Sequence, residues 1–116
     1  MKGGHTFTPR KTQRYESTLQ LAAAEAMVGH PLFDGPVAVD MTVYVLPPKS
    51  WSDKRRAAAF AGSVIPITRP DIDNYIKIAF DAFNGVVYGD DNQVSDLLCR
   101  KRYAEKPGML VTVSAV

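Results

Sequence analysis

The sequence predicts an α/β domain of the α+β kind, a small mixed β-sheet of three to four strands packed against two to three helices. Three observations carry this expectation. One segment alternates apolar and polar residues with a period of two, others repeat apolar residues at helical spacing, and Gly/Pro clusters mark the joins between them. The alternating segment, PVAVDMTVYVL from Pro36, places Val37, Val39, Met41, Val43 and Val45 on one face and Ala38, Asp40, Thr42 and Tyr44 on the other, as a half-buried strand requires.

The remaining elements follow in order. Thr8-Pro9 offers an N-cap with proline at the first helical position, and residues Tyr15 to Met27 keep helical spacing until Gly29-His30-Pro31, so a first helix is expected over 9 to 28. The chain is expected to start directly at this helix, with no strand before it. Pro47-Pro48 ends the alternating strand, and SWSDKRRAAAFAG then supplies a serine cap, Asp53 in the first turn and Gly62 as a stop, the marks of a short basic helix. SVIPITRP reads as an extended connector because Pro66 and Pro70 bias the residues before them away from helix. A third helix is expected over 71 to 84, with Ile72, Ile76, Ala79 and Phe83 as its core stripe and Asn84-Gly85 as its end. VVY is expected as a brief strand before the Gly89-Asp90-Asp91 turn, and QVSDLLCRKRY and MLVTVSAV, joined through Pro107-Gly108, as a hairpin.

With 116 residues and 46% hydrophobic content, residues 1–116 suit one domain with its own core. The 14 basic and 12 acidic residues leave a net charge of +2, too small to announce a nucleic-acid binder by itself. The distribution is more telling. Five acids, Asp71, Asp73, Asp81, Asp90 and Asp91, share one stretch, while bases flank it at Arg10, Lys11 and Arg14, at Lys49 to Arg56, and at Arg100 to Lys106. The single cysteine, Cys99, excludes an internal disulfide, and without a CxxC or Cys/His pattern structural zinc is excluded too; both suit a cytoplasmic protein. No apolar run approaches the roughly 20 residues of a membrane helix, and the N-terminus lacks the apolar centre of a signal peptide. A soluble protein with no membrane partner is expected.

The stretch RPDIDNYIKIAFDAFNGVVYGDD holds the candidate chemistry. Asp71 and Asp73 open the third helix, and Lys77 stands one turn after Asp73. Two roles fit. The aspartates can stabilise the helix N-terminus through its dipole, with Asp73 and Lys77 as an i,i+4 ion pair. Alternatively, Asp90-Asp91 returns beside the helix, and the two acid clusters share a divalent cation: Mg²⁺ takes hard oxygen ligands, commonly one or two carboxylates completed by water and phosphate oxygens. Calcium-loop spacing is ruled out because Tyr75 and Ile76 stand where an oxygen ligand and a glycine are needed. HExxH, Walker A and GxSxG patterns are absent, and His5 and His30 lie in terminal or loop segments. Carboxylates, a lysine and basic flanks together suit metal-assisted phosphodiester hydrolysis on an anionic polymer, the bases gripping its backbone.

RPDIDNYIKIAFDAFNGVVYGDDNQV closely resembles the RusA family of Holliday-junction resolvases, with its Asp-x-Asp-Asn helix, a lysine, Phe-Asp and an Asp-Asp pair before a strand. TFTPRKTQRYESTLQLAA, KSWSDKRRAAAFAG and RKRY look like its phage and prophage branch. The resemblance implies a RusA-like fold and a homodimer that binds branched DNA, the four-way junction, and nicks two opposing strands symmetrically with Mg²⁺ or Mn²⁺, in DNA recombination and repair. It implies Asp71, Asp73 and Asp91 as metal-binding and catalytic carboxylates, Asp90 as a further ligand, Lys77 as the essential lysine, and Phe80 as an aromatic near the junction. Arg69, Lys54, Arg55, Arg56, Arg100, Lys101 and Arg102 are the expected DNA contacts. The chain departs from the family in having no predicted N-terminal strand and no arginine run before Asp71, which leaves two alternatives open: a non-catalytic DNA-binding prophage remnant, or a metal-dependent nuclease for other branched DNA.

Overall fold

The alternating segment is the axis of the sheet. In the computed structural model, which describes residues 2–5 and 12–116, the elements run β1 (Lys2–His5), α1 (Thr12–Ala26), β2 (Val37–Val45), α2 (Asp53–Phe60), α3 (Ile72–Phe83), a 3₁₀ turn (Asp91–Gln93), β3 (Val94–Tyr103) and β4 (Gly108–Ala115). The sheet order is β1-β4-β2-β3, with β2 parallel to β3 and antiparallel to β4. Val37, Val39, Met41 and Val43 of β2 are buried, as the alternation predicts. Their neighbours Met109, Val111 and Val113 of β4 share the same face, and Tyr15, Leu19, Ala23 and Met27 of α1 join them with α3 in one core cluster. Each buried Val, Leu or Met side chain contributes about 1.5–3 kcal/mol by leaving water.

Three expectations are corrected. The last two strands form no hairpin: β3 and β4 flank β2 on opposite edges. The most apolar strand takes the centre, where both of its edges are hydrogen-bonded and its buried face is fully used. VVY is not a strand either: Tyr88 makes only isolated bridges, to Phe33 and Asn84, and Val87 and Tyr88 are both fully buried. The segment instead turns into the core, with Val86 and Val87 N–H groups donating to the Phe83 carbonyl at 3.0 and 2.9 Å, while Gly85, at φ +76°, donates to the Tyr88 carbonyl at 2.8 Å. Finally, a strand does precede the first helix. Lys2–His5 pairs antiparallel with Met109–Thr112 of β4, so this short edge strand of the sheet is present.

The helices sit close to their expected positions. α1 ends at Ala26, and the expected cap at Thr8-Pro9 lies outside the described residues. Ser52 caps α2 by accepting from Arg55 N–H at 3.2 Å. In α3 the core face is rotated from the expected stripe: Tyr75, Ala79, Ala82 and Phe83 are buried, whereas Ile72 is 38% exposed and Ile76 half-buried. Counting about 100° per residue, Asp73 and Lys77 then lie roughly 135° and 175° from the centre of the core face, on the solvent side.

Tyr15 meets Tyr75 edge-on, ring centroids 6.0 Å apart, in the contact between α1 and α3. Burial, and secondarily the neighbouring Tyr75 and Cys99, hold the Tyr15 phenol well above its ordinary range. A phenol whose pKa is raised by folding stabilises the fold below its unfolded pKa of about 10, and that contribution is lost as pH climbs beyond it. The melting temperature should therefore fall from about pH 10 upward. Tyr15→Phe should flatten that fall; an unchanged slope would clear Tyr15 as its source.

Candidate metal and nucleic-acid site

Pro70 and the extended Asp71 (φ −67°, ψ 155°) deliver the chain into α3. Asp71 occupies the N-cap position, yet its carboxylate makes no capping hydrogen bond. Asp73, in the first turn, forms no ion pair with Lys77: the only ion pair among the described residues joins Arg100 to Asp40 at 3.0 Å. All three side chains are exposed. Ser52 and Asp90 do make capping hydrogen bonds, so among the described caps the uncapping Asp71 carboxylate differs from the other two.

The connector before Asp71 is held from β3. Side chains alternate across a strand, so Arg100 and Arg102 share one face of the sheet with Asp40, Thr42 and Tyr44, while Lys101 points to the helix-bearing face. There the Lys101 ammonium donates to the carbonyls of Thr68 and, at 2.9 Å, Pro70. The basic run is thus divided in its work. Arg100 donates to Asp40 and to Thr42 Oγ1 (2.9 Å), and Arg102 donates to the Lys101 carbonyl (2.7 Å). All three still line an open groove of about 520 Å³ together with Asp71.

Losing the two bonds from Lys101 would free the connector rather than remove a phosphate contact. Charge-assisted hydrogen bonds are worth about 1.5–3 kcal/mol. Lys101→Met should accordingly lower any nicking rate roughly 10- to 100-fold while leaving metal-free junction affinity within about twofold. A uniform loss of affinity, with a salt dependence shallower by about one unit, would instead make Lys101 a backbone grip.

The second acid pair sits on a clamped turn. Gln93 accepts from Gly89 and Asp90 N–H at 2.9 and 3.2 Å through Oε1, and its Nε2 donates to the carbonyls of Phe33 and Gly35 at 2.9 and 3.0 Å. Asp90 caps the 3₁₀ turn by accepting from Asn92 N–H at 3.0 Å, whereas the Asp91 carboxylate makes no hydrogen bond or ion pair among the described residues, its backbone carbonyl accepting from Val94 N–H. Behind the turn, the fully buried Tyr88 hydroxyl has no hydrogen-bond partner among the described residues. Burial, then the charges of Asp91 and Asp90, raise its pKa far above the ordinary tyrosine range.

The two acid pairs are not brought together within one chain. Asp71 follows the connector that Lys101 holds, and Asp91 lies just before Val94; along β3 those anchor points are roughly 23 Å apart at strand rise. Among the described residues no three of His, Cys, Asp and Glu are grouped closely enough to hold a metal ion. The 3₁₀ turn that carries Asp91 does lie against α3, but VVY enters the core rather than forming a strand along the helix. Asp81 is exposed on α3, and Phe80 is half-buried outside the main core cluster.

The other bases lie on α2 and in the connector. Arg55 stacks over Trp51, 3.8 Å from the ring centroid, and Trp51 meets Tyr103 edge-on. Arg56 donates to the Pro48 carbonyl at 3.2 Å. The side chains of Lys54, Arg69 and Lys77 make no hydrogen bond or ion pair among the described residues, and all three residues are exposed. Sequence reading missed the clamping roles of Gln93 and Lys101. The Asp-x-x-Gln spacing of a capping box could have flagged Gln93, but the task of Lys101 depends on which face of β3 meets the connector.

Fold and site together define a small α+β domain with free carboxylates, a free lysine and a basic groove at one helix entry. The chain belongs to the RusA endodeoxyribonuclease family, whose profile matches residues 1–114. It is also 37% identical over 114 residues to "Uncharacterized protein YqaN" of Bacillus subtilis (strain 168), covering 97% of this chain and 80% of that protein. No helix among the described residues is long and apolar enough to cross a membrane.

Proposed function

We propose that this chain is a Mg²⁺-dependent, structure-specific DNA endonuclease that resolves four-way junctions by symmetric paired nicks, working as a cytoplasmic homodimer in DNA recombination and repair. One observation supports this reading above the others. Asp71, Asp73 and Lys77 are exposed at a helix entry and fill neither the capping role nor the ion-pair role that their positions offer. Hard, unpaired carboxylate oxygens suit Mg²⁺, or Mn²⁺ in its place, and Asp71 and Asp73 would hold it. Bound there, the ion would supply Lewis acidity toward a phosphodiester and a more acidic water. The chain's own groups have separate tasks. Lys77 stabilises negative charge gathering on the phosphate, and Arg69 and Lys54, free of partners, take neighbouring phosphates. Phe80, half-buried on the same helix, lies near the unstacked bases of the branch.

Cleavage should be compared on four-way junctions, flaps and plain duplex, each with Mg²⁺ and with a chelator. Paired nicks confined to junctions with Mg²⁺ are expected. Preferred cutting of flaps would move the activity to other branched DNA, and binding without cutting would leave a non-catalytic DNA-binding protein.

A further inference from the structure

A hydroxyl without a partner is the wrong group to bury, yet Tyr88 buries one directly behind the turn that carries Asp91. We infer that Tyr88 is a positioning residue: its hydroxyl donates to one oxygen of the Asp91 carboxylate and so turns the other oxygen toward the cation. This rests on the endonuclease reading above, with Asp91 among the groups that hold its cation.

The donor comes first. Tyr88 is 0% exposed, and its hydroxyl makes no hydrogen bond among the described residues. Leaving such a group unpaired costs about 1–3 kcal/mol, which a phenylalanine with the same ring would avoid. The ring is fixed in place, edge-on to Phe83, and the Tyr88 carbonyl accepts from Gly85 N–H. Any acceptor must therefore be the group that moves. Burial first, then the charge of Asp91 and last that of Asp90, keep the phenol protonated and so a donor.

Asp91 supplies the acceptor. It is half-buried, whereas Asp71, Asp73 and Asp90 are exposed, and its carboxylate makes no hydrogen bond or ion pair among the described residues. The Asp90 carboxylate is already occupied in accepting from Asn92 N–H. Gln93 fixes the backbone of the turn through its bonds to Gly89, Asp90, Phe33 and Gly35, so the side-chain torsions of Asp91 are the freedom by which the two groups meet. Carboxylates that bind cations are themselves hydrogen-bonded by a neighbour, and losing that neighbour weakens metal binding about 10- to 100-fold. A competing acceptor is Asn84 Oδ1, also buried and without a partner among the described residues, on a residue bridged to Tyr88 through the backbone. That pairing would serve the fold alone, and it leaves the half-buried Asp91 carboxylate unexplained.

Tyr88→Phe, which removes the oxygen and keeps the ring, tests this. Wild type and variant are melted without metal, titrated with Mn²⁺ alone, followed in the near-ultraviolet as Mg²⁺ is added, and assayed on four-way junctions. Without metal the variant should melt at the wild-type temperature or above it. Its Mn²⁺ affinity should fall about 10- to 100-fold, and the tyrosine difference signal that Mg²⁺ produces in wild type should be lost. In an Asp91→Asn chain the same substitution should change Mn²⁺ affinity by less than about twofold, since the two groups act as one. A variant that binds Mn²⁺ as tightly as wild type would overturn the inference while leaving the endonuclease reading in place. A lower melting temperature with unchanged Mn²⁺ affinity would give the hydroxyl to Asn84, and an equal fall in affinity in the Asp91→Asn chain would place its effect elsewhere; either result overturns the inference. Should wild type bind Mn²⁺, the variant bind it weakly and neither cut branched DNA, Tyr88 keeps this role and the endonuclease reading falls. A wild type that binds no Mn²⁺ would end both.

Discussion

Asp73→Asn is expected to abolish Mg²⁺-dependent nicking of a four-way junction, by roughly a thousandfold or more, while leaving junction affinity measured in chelator within about twofold of wild type. Metal-ion stabilisation of a developing charge is worth several kcal/mol, and each 1.4 kcal/mol is about tenfold in rate. Binding should survive because Asp73 is exposed, its carboxylate makes no hydrogen bond or ion pair among the described residues, and it repels rather than attracts phosphate. The amide retains the shape but not the charge, so folding should be untouched. Full cleavage by this variant would remove Asp73 from the metal site. Equal loss of binding and cleavage would point to a disturbed α3 entry.

Phe83→Ala should have the largest effect on stability. Phe83 is 1% exposed, meets Tyr88 edge-on at 6.4 Å between ring centroids, and its carbonyl accepts from Val86 and Val87 in the turn that ends α3. Deleting a buried phenyl costs about 3–5 kcal/mol, including the cavity it leaves. For a domain of this size that is a fall in melting temperature of roughly 12–20 °C. Ile72→Ala, at a position the helical wheel ranks equally, should cost under about 1 kcal/mol because Ile72 remains 38% exposed. Similar losses at the two positions would restore the stripe expected from spacing alone.

That pair of variants marks where reading the sequence stops. The helical wheel found α3 and its ends, yet placed the core stripe about 45° too far round, because Tyr75 and Ala82 had no reason to outrank Ile72 and Ile76 on hydropathy. Ile72, the first residue of α3, lines the open groove beside β3 and so meets solvent. The β2 alternation was legible because a strand half-buried against one layer must alternate. By contrast, VVY misled because two consecutive buried residues belong equally to a strand or to a turn driven into the core. The residues of the candidate site were legible as a pattern of charges, but Lys101, which holds the connector before Asp71, and Gln93, which holds the Asp90–Asp91 turn, were not read as clamps. Each acts on backbone carbonyls 31 to 60 residues away in sequence.

By itself the sequence determined the local elements and their ends: the alternation of β2, the serine cap of α2, the glycine turn after α3, and the aspartates and lysine at the α3 entry. These follow from periodicity and backbone preference, which act over a few residues. Only the tertiary structure decided that β2 lies between β3 and β4, that Lys101 turns inward to the connector, and that Asp71 and Asp91 stand at opposite ends of one helix. Strand order, face and separation are fixed by which surfaces bury one another, and burial joins residues that are distant in the chain.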